Sequence, residues 1–321
     1  MAMFQNPGAF FLGTLVPTEQ KFLKVLLENA RKNGYTKFVE PCAGAFAMSH
    51  LAVQAGFKPS QVEASDVSMF TSIMGYAIAG NPMEELEIHA KGFSDEELLD
   101  PAVAMYAWKY LSTVKNAGKE YFYNFMLDLA SRREEHIKNI REQLERAKTL
   151  LNGMNYRALD MWKHMAEILD DEHCVVIANP PTYTAGFEKY YDTGGMMTWK
   201  EPEYGIFDPA TGLQEFMDMC KNAKCLVLCY EENEPGKTAG EPVFARYGVR
   251  SGVNVYLTSN RPEEATALAN GKKIARPGES KLNALECSML PRDYEITEKS
   301  QSTVMPDRKS RGSVLPPAMD A

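Results

Sequence analysis

The most chemically specific residues of this chain are Asn179-Pro180-Pro181, which follow a predicted buried strand at residues 173–178. The prolines fix their φ angles and carry no backbone N–H, so the turn presents mainly acceptors. The side-chain oxygen of Asn179 and the carbonyl of Pro180 are two acceptors, enough to hold both hydrogens of one amino group. That grip favours a pyramidal nitrogen with its lone pair aimed at an incoming methyl group, so orientation replaces a strong base. The alternative is a plain strand exit with Asn179 as a turn residue.

A second segment, residues 39–46 with the sequence Val-Glu-Pro-Cys-Ala-Gly-Ala-Phe, is suited to binding a ligand. A strand that ends in a Gly-containing turn lets the backbone approach a ligand closely, with a helix N-terminus behind it. Asp66 follows Gly44 by about 20 residues and ends the next predicted strand, where a carboxylate accepts hydrogen bonds from ribose hydroxyls. The alternative is a tight turn that binds nothing.

Predicted secondary structure places both segments in one α/β pattern. Apolar spacing predicts a helix over residues 17–33, a strand over 36–40, a helix over 46–55 and a strand over 61–66. Strand, tight turn, helix and acid-ended strand form a βαβ unit. Further on, residues 224–230 are a predicted strand, and residues 243–247 and 253–258 are a predicted antiparallel hairpin.

Residues 94–169 are predicted to be almost continuously helical, and residues 132–148 are the most charged part. Six basic side chains there are a candidate nucleic-acid contact, because phosphates need such a patch. They are Arg132, Arg133, Lys138, Arg141, Arg146 and Lys148. The alternative is a solvated helix face, since most charge runs are only that.

Composition excludes several classes of protein. The 321 residues are 45% hydrophobic and 24% charged, which indicates a globular chain, and a net charge of −8 argues against coating nucleic acid by bulk attraction. No apolar run is long enough to span a bilayer, and no basic signal-peptide start is present, so a soluble cytoplasmic protein is expected. Cys225 and Cys229 are expected to be core residues of a strand rather than metal ligands, because no CxxC pair occurs.

The order of these elements resembles the DNA amino-methyltransferases, and the Dam-type adenine methylases most closely. Residues 39–45 are similar to that family's cofactor loop, residues 65–68 to its next element, and residues 179–181 to the first three positions of its [Asp/Asn/Ser]-Pro-Pro-aromatic tetrad. The resemblance implies a Rossmann-like methyltransferase fold, with a mostly parallel seven-stranded sheet, a C-terminal β-hairpin and a helical insertion. It implies S-adenosyl-L-methionine as cofactor and DNA as substrate.

The same resemblance assigns roles to individual residues. Those implied for the cofactor are Lys21, Glu40, Pro41, Gly44, Asp66 and Asn179. Those implied for catalysis are Asn179, Pro180, Pro181 and Tyr183. No metal site is expected.

Two departures from the family pattern bear on activity. Phe46 stands where the family loop has its second glycine, and Thr182 holds the tetrad's aromatic position, with Tyr183 one place later. The family stacks that aromatic ring on a base flipped out of the duplex. Phe187 and Tyr190 are alternative sources of the ring.

The sequence therefore predicts a DNA (adenine) methyltransferase. The alternatives are a catalytically silent methyltransferase fold that binds DNA or a protein, and an enzyme that methylates RNA or a protein glutamine. The predicted parts are a cofactor-binding part (1–93), a helical insertion that is a candidate target-recognition region (94–170), a catalytic part (171–262) and a polar flexible tail (263–321).

Overall fold

Seven strands form the main sheet in a computed structural model that describes residues 15, 17–181, 192–208, 210–233, 238–246 and 254–270. In sheet order they are β4 (Asn155–Ala158), β2 (Val62–Asp66), β1 (Lys37–Glu40), β5 (Cys174–Ala178), β7 (Leu226–Asn233), β9 (Asn254–Ser259) and β8 (Pro242–Arg246). The first five run parallel to one another, and β9 is antiparallel to both of its neighbours. This mixed α/β architecture, with a mostly parallel seven-stranded sheet, fits the expected Rossmann-like methyltransferase fold.

Helices cover both faces of the sheet. On one face lie α1 (Pro17–Lys32), α2 (Ala47–Gln54), α3 (Met69–Ala79) and the last described helix, α10 (Pro262–Leu268). On the other lie α8 (Met161–Ile168) and α9 (Gly212–Cys220). Short 3-10 turns occur at Pro59–Gln61 and Met83–Leu86.

The central strands are apolar on both sides because helices cover both faces of the sheet. In β5, Val175 and Ile177 pack towards α1–α3, whereas Val176 and Ala178 pack towards α8 and α9. Cys225 and Cys229 are fully buried in the second of these clusters, which confirms the prediction that they are core residues.

A block of four helices separates α3 from β4. They are α4 (Asp95–Leu98), α5 (Pro101–Lys115), α6 (Glu120–Ser131) and α7 (Arg133–Leu151). Local sequence explains where two of them begin: Ser94 and Glu97 form a capping box, and Asp100 caps a helix that starts with Pro101. A small antiparallel sheet pairs β3 (His89–Ala90) with β6 (Met197–Thr198).

The prediction of nearly continuous helix over residues 94–169 is wrong at β4. Residues 155–158 form an edge strand that pairs in parallel with β2, and only Tyr156 is buried in it. The pairing with β2, which is distant in sequence, decides the conformation of this short polar strand. The helical insertion therefore ends before Asn155.

The C-terminal region agrees with the predictions only in part. β8 and β9 pair in antiparallel fashion, but residues 247–253 lie outside the described part of the chain, so the hairpin turn stays a prediction. The boundary of the polar tail at residue 263 is too early, because α10 packs on α1, with Asn29 donating to the Leu268 carbonyl at 2.7 Å. Within the described residues, no helix combines the length and apolarity needed to cross a bilayer.

Candidate active site

The cofactor loop and the Asn-Pro-Pro turn meet at one edge of the sheet. Strands β1 and β5 are parallel neighbours with Val39 opposite Val176, so the residues that follow them emerge side by side. Cys42 lies two residues after the end of β1, and Asn179 directly follows β5. Parallel α/β sheets bind their ligands outside these carboxyl ends, where neighbouring strands lead to opposite faces.

Gly44, in the middle of the cofactor loop, is held by both of its backbone groups. Its N–H donates to Asp66 Oδ2 at 2.9 Å, and its carbonyl accepts from Thr71 Oγ1 at 2.9 Å. Asp66 Oδ1 accepts from the backbone N–H of Ser68 at 2.8 Å, and burial raises the pKa of this carboxyl. Gly44 has φ of +50°, a conformation that glycine adopts at little cost. The loop is thus fastened to the end of β2 and the start of α3.

Glu40, buried at the end of β1, reaches the N-terminus of α2. Its Oε1 accepts from Met48 N at 3.2 Å, and its Oε2 accepts from Ser49 N at 2.8 Å and from the Ser49 hydroxyl. The helix has no cap from its own N-cap side chain, so Glu40 supplies the acceptor there. Burial raises the pKa of Glu40 to about 8.

Phe46 occupies the second glycine position of the loop and adopts a glycine-like backbone conformation. Its φ and ψ are 60° and 28°, in the left-handed region, and its ring is fully buried. The ring packs edge-on against Tyr156, with centroids 5.6 Å apart. The bulky side chain therefore points into the core, and the backbone path of a glycine loop is retained.

The other predicted site residues lie as follows. Asn179 is exposed, Pro180 is buried and Pro181 is partly buried, whereas Tyr183 lies outside the described residues. Pro41 is buried beside Glu40.

The start of α1 lies at the same edge of the sheet, because Glu19 pairs with Arg246 at the end of β8, 2.7 Å away.

Lys21 follows two residues after Glu19 and is exposed. Its contact with a cofactor stays a prediction.

Asp160, which sequence reasoning missed, joins this edge of the sheet. It follows β4, is 6% exposed, and caps α8 through Oδ1, which accepts from Trp162 N at 2.8 Å. Burial raises the pKa of the Cys42 thiol, and the nearby acidic side chains of Asp66, Glu40 and Asp160 raise it further. The sequence did offer one indication of Asp160, an aspartate directly before a predicted helix. Its position at this edge of the sheet could be inferred only once β4 was known.

The helical block borders the site. Asp192, the first described residue after the segment that follows the Asn-Pro-Pro turn, forms an ion pair with Lys115 in the last turn of α5. Phe70 in the first turn of α3 packs on Trp108 of α5, with ring centroids 4.8 Å apart. α5 therefore contacts both the helix after Asp66 and the chain that leaves the turn.

Most of the basic residues predicted as a nucleic-acid contact are paired with acidic side chains. The pairs are Arg132 with Asp128 and Glu135, Arg133 with Glu97, Arg141 with Asp100, and Arg146 with Glu142. These pairings favour the solvated-face interpretation of α7.

Comparison with known proteins identifies the family. The sequence matches the family described as Phage DNA Adenine Methylase-like domain 1 over residues 11–290. The chain belongs to this family. No curated protein and no solved structure gives a significant match.

The range that matches the Dam-like family contains both parts of the candidate site. The matched range includes the cofactor loop, Asp66, the helical block and the Asn-Pro-Pro turn. The resemblance noted from the motifs alone is thereby confirmed at the level of the family, and the family name indicates an adenine methylase.

Proposed function

We propose that this protein transfers a methyl group from S-adenosyl-L-methionine to the exocyclic amino group of adenine in DNA. The observation that carries the proposal is the parallel pairing of β1 with β5, which the cofactor loop and the Asn-Pro-Pro turn directly follow. It brings a ligand-binding loop and an amine-binding turn to one edge of the sheet, which a transfer between two bound molecules requires.

The residues around the loop suit this cofactor chemically. S-adenosyl-L-methionine supplies a methyl group on a positively charged sulfonium and also carries an ammonium and ribose hydroxyls. Asp66 and Asp160 place carboxyl groups beside the loop, and their negative charge favours a cation. Asp66 is placed to accept ribose hydroxyls, because each carboxylate oxygen has acceptor capacity beyond the one backbone bond it accepts.

The Asn-Pro-Pro turn suits the amine. Asn179 is exposed at the end of a buried strand, so its side-chain oxygen is accessible to a substrate. Pro180 is buried and rigid, which fixes the direction of its carbonyl. Together they hold the two amino hydrogens and leave the lone pair directed at the methyl donor. The ring that stacks on the flipped base is assigned to Tyr183, on the motif alone.

The conformation of Phe46 supports an active enzyme over a silent fold. A decayed loop is under no constraint to keep a left-handed backbone at this position, which costs a bulky residue about 1–2 kcal/mol. Methylation of RNA or of a protein glutamine uses the same turn, so product analysis must discriminate among the substrates.

The test supplies labelled S-adenosyl-L-methionine and offers duplex DNA, RNA and protein in parallel, followed by nucleoside analysis of the products. The expected product is N6-methyladenine in DNA, with no label in RNA or protein. Label in RNA or protein alone would reassign the substrate. A folded protein that binds the cofactor and labels none of the three would exclude the proposed activity.

A further inference from the structure

Helix α6 is unusual within the helical block because it exposes large apolar side chains. Leu129 is its one fully buried residue, whereas Tyr121 is 64% exposed, Tyr123 49% and Leu127 46%. A helix that packs so little of its own surface gains little stability from the rest of the fold. Exposed apolar clusters on a soluble protein commonly mark a binding surface.

One side of α6 carries stacked aromatic rings, against which a lysine of α5 packs. The ring of Tyr121 stacks on that of Phe125, with centroids 6.4 Å apart and planes 20° apart. The Lys109 ammonium lies 5.4 Å from the centroid of the Phe125 ring. We call Tyr121, Phe125 and Lys109 the α6 platform. Tyr123 is on the opposite flank of the helix, because two residues correspond to about 200° of rotation.

Two exposed charges of opposite sign lie at the start of α6, Lys119 at the N-cap and Glu120 in the first turn. Lys119 is exposed immediately before α6, and it forms no ion pair within the part of the chain that the structure describes. The arginines of α7, by contrast, are paired with carboxylates. In a chain of net charge −8, exposed aromatic rings beside lysines fit a polyanion with stackable bases.

The platform is connected to both halves of the active site. Lys109 follows Trp108, which packs on Phe70 in the first turn of α3, close to Asp66. Lys115 pairs with Asp192, eleven residues after Pro181. Eleven residues span at most about 40 Å, similar to one turn of DNA, roughly 34–36 Å. DNA held at the turn therefore lies within reach of α6.

We propose that Tyr121 of the α6 platform stacks on a base of the substrate DNA next to the methylation site, and that Lys119 contacts a phosphate of the same strand. The proposal rests on the proposed function, because it takes DNA as the substrate. Phe125, which is itself covered by Lys109, packs against the Tyr121 ring, so little side-chain entropy is lost when a base stacks on it.

The test measures steady-state methylation of a duplex oligonucleotide by single variants. Tyr121→Ala should raise the KM for DNA about tenfold, because base stacking on an aromatic ring contributes about 1–3 kcal/mol. It should leave kcat, the affinity for S-adenosyl-L-methionine and the thermal melting curve close to those of the wild type. Tyr121→Phe keeps the ring and should keep the wild-type KM. Tyr123→Ala, on the other flank of the same helix, is the matched control and should also keep it.

The lysine is tested by the salt dependence of DNA binding. Lys119→Gln should reduce the slope of log K against log salt by about one unit, whereas Lys138→Gln on α7 should not.

The proposal is overturned if Tyr121→Ala and Tyr123→Ala give equal KM values while the wild type methylates DNA. It is also overturned if Tyr121→Ala changes the oligomeric state and not the KM, since the surface would then join copies of the chain. A wild type that methylates no DNA rejects this proposal together with the function.

Discussion

Asp66 combines two tasks at the residue scale. Its two oxygens fasten Gly44 and Ser68, so the carboxylate positions the cofactor loop whether or not a ligand is bound. We assign it the ribose hydroxyls as well. Removing the side chain therefore should affect the loop and the ligand together.

Asp66→Ala should weaken the binding of S-adenosyl-L-methionine by about 1.5–3 kcal/mol, the range for hydrogen bonds to a charged group. Titration calorimetry measures the change. Asp170→Ala, which removes an exposed carboxylate that pairs with Lys224, is the control and should leave the affinity unchanged. A folded Asp66→Ala protein with wild-type affinity would remove Asp66 from the cofactor site.

Phe46 allows a test of the loop conformation that does not depend on activity. Phe46→Ala should lower the free energy of unfolding by about 3–5 kcal/mol, since a fully buried ring is lost. Phe46→Gly should be more stable than Phe46→Ala by about 1 kcal/mol, because glycine adopts a positive φ without the cost that alanine incurs.

Urea unfolding of both Phe46 variants measures this order. Ala52→Gly, inside α2, is the control, and there glycine should be the less stable residue by about 1 kcal/mol. If Phe46→Gly is less stable than Phe46→Ala, the left-handed conformation is not maintained in solution.

At the scale of elements, the sequence predicted those strands whose pattern is strong. β1, β2, β5 and β7 lie within three residues of the predicted positions because each is a short run with a clear apolar or acid-ended pattern. β4 was missed because the sequence Asn-Tyr-Arg-Ala buries one side chain, and pairing with β2 makes it a strand. α10 was missed because it buries only Ala265 and Leu268.

A partly buried group of charged and polar side chains joins β1, β2 and α8. Glu63 of β2 lies 3.1 Å from Lys37 Nζ of β1 and 3.6 Å from His164 Nε2 of α8. His164 is fully buried, and its Nδ1 lies 2.7 Å from the Ser65 hydroxyl. The proximity of His164 and the ion pair with Lys37 lower the pKa of Glu63 to about 2, which outweighs the opposite effect of its burial.

The shift in Glu63 predicts how stability depends on pH. A depressed carboxyl pKa stabilises the fold above the ordinary pKa of 4.5, and this stabilisation is lost as the pH falls towards 2. Glu63→Gln should therefore cost on the order of 2 kcal/mol at neutral pH, and the difference from the wild type should shrink from about pH 6 to about pH 3.

Chemical unfolding at several pH values checks the Glu63 prediction. Glu167→Gln removes an exposed carboxylate paired with Arg157, and it should cost less than about 1 kcal/mol. A difference between wild type and Glu63→Gln that stays constant with pH would show that the carboxylate contributes nothing through its charge.

At the scale of the whole molecule, the site depends on contacts that the sequence motifs alone do not contain. Residues 40–46 and 179–181 are far apart in sequence, and the parallel pairing of β1 with β5 brings them together. The two motifs could be recognised in the sequence, but their common edge follows from the pairing of β1 with β5. The buried position of Phe46 against Tyr156 and the presence of Asp160 could not be predicted, because both depend on the missed strand β4.

The most direct test of the proposed function examines genomic DNA from a bacterial host that lacks adenine methylation and expresses the protein. Mass spectrometry of the nucleosides should detect N6-methyladenine with the wild type. With Asn179→Ala the product should fall at least about a hundredfold, the scale of losing one oriented polar group from a transition state. Asn179→Asp, which keeps an acceptor oxygen, should retain measurable product. Equal N6-methyladenine from wild type and Asn179→Ala, or none from a folded wild type that binds the cofactor, would contradict the account.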